Sequence, residues 1–196
     1  MQTVPRVPLD HHPATYEDLA AVPEHLVAEI LDGVLYTSPR PAPRHALAHS
    51  GLGALLMPPF HFGRGGPGGW TILIEPELHL GPDVLVPDVA GWRRERMALL
   101  PSTAYFPTAP DWLCEVISPS TAAIDRTKKL SIYAREGVAH VWLVDPLART
   151  LEVLGVEGGR WLILATHGDR EVIDAQPFDA IGLELGLLWD DANIAP

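Results

Sequence analysis

The spacing of apolar and polar residues changes several times along this chain, and each change predicts an element. Thr15-Tyr16-Glu17-Asp18 sets a hydroxyl three positions before an acid, a capped helix start that predicts a short helix to about residue 21. Apolar runs at residues 25–31 and 34–38 flank Asp32-Gly33, which predicts a β-hairpin with a two-residue turn. Residues 45–57 have helical composition, and Ala46, Ala48, Gly51, Gly53 and Ala54 suit close packing against a sheet. Residues 63–69 form a glycine-rich loop that lacks the Gly-Lys-Ser/Thr ending of a phosphate-binding loop. Strands follow at 70–80 and 84–92, joined by Gly81-Pro82-Asp83, and then a basic helical stretch at 93–100.

Residues 112–117 are almost all apolar, the pattern of a strand buried on both faces. A helix is predicted at 124–136, ended by Gly137, with further strands at 140–144, 151–156 and 161–165. Helices therefore fall between strands of a mixed sheet, an α/β or α+β architecture. The expected organisation is a flexible arm over 1–14, one domain over 15–190 and a tail over 191–196.

Composition agrees with a globular chain: 196 residues, 47% hydrophobic and 20% charged. No apolar run has the length of a membrane span, and the first residues lack the pattern of a signal peptide. A single cysteine, Cys114, cannot form an internal disulfide, so a cytoplasmic location is expected. The net charge of −11 argues against a broad nucleic-acid surface. Half of the fourteen basic residues are nevertheless gathered in one region, and Arg93, Arg94, Arg126 and Lys128 are the candidates for touching nucleic acid.

Two acids stand out against their surroundings. Glu115 lies among Trp112, Leu113, Cys114, Val116 and Ile117, where an unpaired carboxylate costs several kcal/mol and needs a metal, a cation or a proton. Asp88 lies within the apolar stretch 84–90, and two acids on neighbouring core strands can share a Mg2+ ion, which prefers oxygen ligands. The chain has only two lysines, Lys128 and Lys129, beside twelve arginines. Leu130, Tyr133, Ala134 and Gly137 mark the buried face of the helix; Lys129 borders that face and Lys128 points away. Asp125, one turn earlier, can hold Lys129.

These residues sit in a recognisable order. Pro87-Asp88 followed by Glu115 resembles the acidic pair of the PD-(D/E)XK, or restriction-endonuclease-like, nuclease superfamily. Glu29-Ile30-Leu31-Asp32-Gly33, Val86-Pro87-Asp88-Val89, Glu115 to Thr121, Asp125 to Lys129 with Tyr133, and Gly137-Val138 through Val141 to Pro146 are similar to a widespread bacterial branch of restriction-endonuclease-like proteins, formerly a domain of unknown function. The likeness covers residues 15–185. It implies a mixed central β-sheet flanked by helices and preceded by a β-hairpin, with hydrolysis of DNA phosphodiester bonds at a Mg2+ or Mn2+ site. Asp88, Glu115 and the Val116 carbonyl would hold the metal, with Glu29 as a further acidic ligand and Lys129 acting on the water or the developing charge. One departure is plain: the superfamily's usual lysine position, two residues after the acid, is Ile117 here, and Lys129 on the following helix takes its place. By analogy, a homodimer would suit duplex cleavage.

Plainer readings stand beside these. Asp88 could cap a turn, Asp125 and Lys129 could form a surface ion pair, and Glu29 could sit on the solvent face of its hairpin. His45 and His49, four apart on a predicted helix, have metal-binding spacing but no evident third ligand, which favours a structural or surface role. Ser118, Ser120 and Thr121 are expected to cap the next helix. Two rival functions remain: a nuclease-like module without activity that binds or assembles, and a metal hydrolase of a small phosphoester.

Overall fold

The structure, a computed structural model, describes residues 12–189; the predicted tail and most of the predicted arm lie outside them. Helix α1 (Tyr16–Ala20) starts at the expected capping box, in which Thr15 and Asp18 bond each other's backbone amides. Strands β1 (Leu26–Leu31) and β2 (Val34–Pro39) form the hairpin. Asp32 and Gly33 both have positive φ, 51° and 73°, as a type I′ turn requires.

The two long strands predicted at 70–80 and 84–92 are each broken in two. Strands β3 (Trp70–Ile74) and β6 (Val89–Arg93) lie in one sheet; β4 (Leu78–Leu80) and β5 (Asp83–Leu85) lie in another, beside the hairpin. The breaks fall at Pro76 and Pro87, which cannot donate a ladder hydrogen bond, and Glu75 takes a left-handed φ of 46°. The chain therefore crosses from one sheet to the other and returns, so the residues at the crossing meet.

The large sheet has the order β10-β9-β8-β7-β6-β3. Its centre is β7 (Trp112–Val116), buried throughout as expected, paired parallel to β8 (His140–Asp145). A parallel pair needs a crossover, and the helical segment between them supplies it. Strands β9 (Thr150–Glu157) and β10 (Arg160–Gly168) extend the sheet antiparallel. Helix α2 (Pro43–Leu56) packs Ala48, Leu52 and Leu56 into a core on one face, with Trp70, Trp112, Trp142 and Phe178. The other face buries Leu113, Ile132, Tyr133, Val141 and Leu143. Residues on β7 alternate between the faces, so Glu115 shares the side of Leu113 and Ile117.

Two helical predictions change. The helix at 124–136 is three segments: α3 (Ala122–Ile124), a π-turn (Asp125–Lys129) and α4 (Leu130–Arg135). Thr127 donates its hydroxyl to the Ala123 carbonyl at 2.5 Å, a side-chain bond that competes with the regular ladder. The basic stretch at 93–100 is no helix. Arg93 ends a strand, one turn closes from Met97 to the Arg93 carbonyl, and Leu99 and Leu100 stay 85% and 62% exposed. Met97 is buried while Leu99 and Leu100 are not, too narrow an apolar face to repay the nucleation of a short helix. Among the described residues no helix is long and apolar enough to cross a membrane.

Candidate functional site

The sheet crossing makes the first half of the site. Ile74 pairs with Val89 at the last register position of β3 and β6, so Glu75 and Asp88 are the next residues out, and the Glu75 amide donates to the Asp88 carbonyl at 2.9 Å. One Asp88 carboxylate oxygen, Oδ2, accepts the Val116 amide at 2.7 Å. The other, Oδ1, lies 3.2 Å from Nε2 of His45 on α2. Burial alone would lower the His45 pKa, but the hydrogen bond and charge of Asp88 carry it above the ordinary value.

Glu115 makes the second half. Only 3% exposed, it accepts the Tyr133 hydroxyl at 2.5 Å, and Lys129 Nζ lies 3.3 Å from each of its oxygens. Lys129 Nζ also lies 2.9 Å from Glu29 and 3.4 Å from Asp125. The π-turn presents Asp125 and Lys129 on the same inner face, while Lys128 is only partly exposed and pairs with Asp32. Neither a surface ion pair nor a solvent-facing Glu29 survives: Lys129, Asp125 and Glu29 are all buried, and Glu29 accepts the Val86 amide at 2.9 Å.

The electrostatics follow from four carboxylates, Glu29, Asp88, Glu115 and Asp125, near one ammonium. Burial pushes Glu115 well above the usual carboxylate range; Lys129 pulls it down, and the other three acids push it further up. Glu29 and Asp125 are raised for the same leading reason, burial, against the same pull from Lys129. Burial would lower Lys129, yet Glu115, Glu29 and Asp125 hold its pKa well above normal, so it stays charged. Burial and the Glu115 charge keep the Tyr133 phenol protonated as a donor. The surplus negative charge fits an added cation with oxygen ligands.

Asp88, Glu115, Val116, Glu29, Asp125 and Lys129 all line one cleft of about 900 Å³. The arginine and lysine side chains on its lining are Arg40 and Lys129. The four residues expected to touch nucleic acid lie elsewhere, and each has a partner. Arg93 stacks over Trp70 at 4.2 Å, Arg94 bonds the His61 and Trp70 carbonyls, Arg126 pairs with Glu152 at 2.5 Å, and Lys128 pairs with Asp32 at 3.3 Å. Ser118 accepts the Thr121 amide at 3.3 Å, so the hydroxyl run does help start the next helix.

Sequence reading missed Glu75 and set aside the two histidines. His45 and His49 are buried at 8% and 9% exposure, and their four-residue spacing was the available signal. The third group that it lacked comes from the sheet crossing. His49, Glu75 and Asp88 each bring one donor atom within 4.8 Å of the others; among the described residues that set holds neither Glu29 nor Glu115.

Residues 13–187 match the model of a family described as "Uma2: Putative restriction endonuclease". A search of curated proteins finds no match. Among solved structures, a putative nuclease belonging to DUF820 from Anabaena variabilis ATCC 29413 superposes with a TM-score of 0.68 at 20% identity, over 91% of this chain and 98% of that one. At that identity the likeness speaks for the fold.

Proposed function

Because the chain belongs to the Uma2 family, we propose that it is a metal-dependent endonuclease that hydrolyses phosphodiester bonds of DNA. The observation that carries the reading is the buried surplus of carboxylates around Asp88, Glu115 and Lys129 in an open cleft. Asp88, Glu115 and the Val116 carbonyl would hold Mg2+ or Mn2+, with Glu29 in support. Bound there, such an ion would supply Lewis acidity, lowering the pKa of a water and polarising the phosphate. Lys129 keeps its proton and sets a fixed positive charge where negative charge grows on phosphate oxygens. Asp125 and Glu29 hold that ammonium, Tyr133 fixes the Glu115 carboxylate, and His45 with the Val116 amide orients Asp88.

A second reading, a metal hydrolase of a small phosphoester, is favoured by the cleft lining, where Arg40 and Lys129 face six acids: Glu29, Glu75, Glu77, Asp88, Glu115 and Asp125. Long duplex DNA would call for more cations along its backbone.

Calorimetric titration of Mg2+ and Mn2+ into wild type and an Asp88→Ala, Glu115→Ala double variant tests the metal. Binding lost in the variant supports the reading; a folded wild type that binds no cation, even with DNA present, leaves the inactive module. Metal-dependent cleavage of supercoiled plasmid then favours the endonuclease. Hydrolysis of bis(p-nitrophenyl) phosphate without plasmid cleavage favours the small phosphoester. Sedimentation of the protein with and without duplex DNA tests the homodimer.

A further inference from the structure

We infer that His49, Glu75 and Asp88 form a second cation position, distinct from the one on Glu115 and selective for a first-row transition ion over Mg2+. It shares Asp88 with the reading above and rests on that reading only for the open carboxylate. His49 and Glu75 carry the rest.

The position begins with the imidazole of His49. His49 lies on α2, nine-tenths buried, and its Nε2 has no hydrogen-bond partner. Its Nδ1 lies 3.9 Å from Oε1 of Glu75, too far for a hydrogen bond. Donor atoms with metal bonds of about 2.0–2.2 Å lie about 3–4.4 Å apart around a shared ion, so this gap has the span that a cation fills.

The acids at this position are open in a way that those around Lys129 are not. Glu75 is half-exposed and, among the described residues, has no ammonium paired with it, and the ion-pair partner of Asp88 Oδ1 among them is His45. Glu75 reaches the place because the sheet crossing holds its amide on the Asp88 carbonyl. One imidazole nitrogen and two carboxylates suit Mn2+, Fe2+ or Zn2+, whereas Mg2+ and Ca2+ favour oxygen alone.

The test uses full-length protein with Mn2+ as the probe. Pulsed electron paramagnetic resonance reports nitrogen coupled to the bound ion, and calorimetry reports the sites. The expected result is nitrogen-coupled Mn2+ in wild type, in Glu115→Gln and in His45→Gln. The coupling should be lost in His49→Gln and Mn2+ affinity weakened in Glu75→Gln, whose exposed side chain can change without disturbing the core. Mn2+ bound without nitrogen coupling, and lost in Glu115→Gln, overturns this position while leaving the Glu115 site intact. Coupling that disappears in His45→Gln and persists in His49→Gln also overturns it. Nitrogen-coupled Mn2+ in a protein that cleaves no phosphodiester would support it and sink the nuclease reading alone.

Discussion

Two groups of acids meet at the same cleft and are compensated differently. Glu29, Glu115 and Asp125 surround Lys129, a permanent charge that the protein supplies itself. Asp88 and Glu75 face His45 and His49, imidazoles whose ring nitrogens can act as ligands. The first group is closed by its own ammonium and by the Tyr133 hydroxyl. The second keeps two buried ring nitrogens, His45 Nδ1 and His49 Nε2, without a hydrogen-bond partner among the described residues. A built-in cation fixes geometry and field; a histidine with open acids leaves a place for something that comes and goes.

The largest way to break this contrast is to remove the built-in charge. Lys129→Met should cost about 3–5 kcal/mol at neutral pH, because three buried carboxylates lose their partner. His49→Gln, at similar burial, should cost less than about 1 kcal/mol in metal-free protein, since it breaks no bond. Urea denaturation of both measures the difference, and equal losses would erase it.

Next in size is catalysis. Lys129→Ala should lower metal-dependent phosphodiester hydrolysis at least about a hundredfold, the scale on which one preorganised charge acts. Steady-state rates on the substrate that wild type accepts check this.

Acidity sharpens the contrast further. Glu115, Glu29 and Asp125 have folded pKa values raised above their unfolded ones, chiefly by burial. Their contribution to stability is therefore full below the ordinary carboxylate range and is lost as pH rises through the raised values. Metal-free wild type should lose stability from that range toward neutrality more steeply than Glu115→Gln, and Mg2+ should restore it. Denaturant midpoints across pH, with and without metal, test this; parallel profiles would refute it.

The smallest effect belongs to the basic residues outside the cleft. Arg126→Ala and Lys128→Ala break partly exposed ion pairs with Glu152 and Asp32, and each should change stability by less than about 1 kcal/mol. If neither residue touches nucleic acid, the salt dependence of DNA binding should be unchanged in both variants.

Much of the fold was legible because its signals are local. Asp32-Gly33 specifies a hairpin turn through φ alone, the Thr15–Asp18 box starts a helix, and a run such as 112–116 can be stable only inside a sheet. The inward turn of Lys129 could also be read, since neighbouring apolar residues on its helix mark the buried face. Asp88 and Glu115 stood out because charge in an apolar run is costly. The extent of the 93–100 segment was misread because basic residues with helical propensity do not make a helix when the apolar face to bury is too narrow.

What only tertiary structure decided were the meetings between distant segments. Pro76 and Pro87 announce breaks, but not that the broken strands change sheets and lay Glu75 against Asp88. Glu29, in a hairpin strand whose buried face the sequence does not assign, became buried because Val86 and Lys129 came to it. The histidine pair gained its acids from strands far along the chain. Local sequence sets the backbone and the period of burial; which acids share one cation depends on long-range packing, where the cost of burying charge selects the partners.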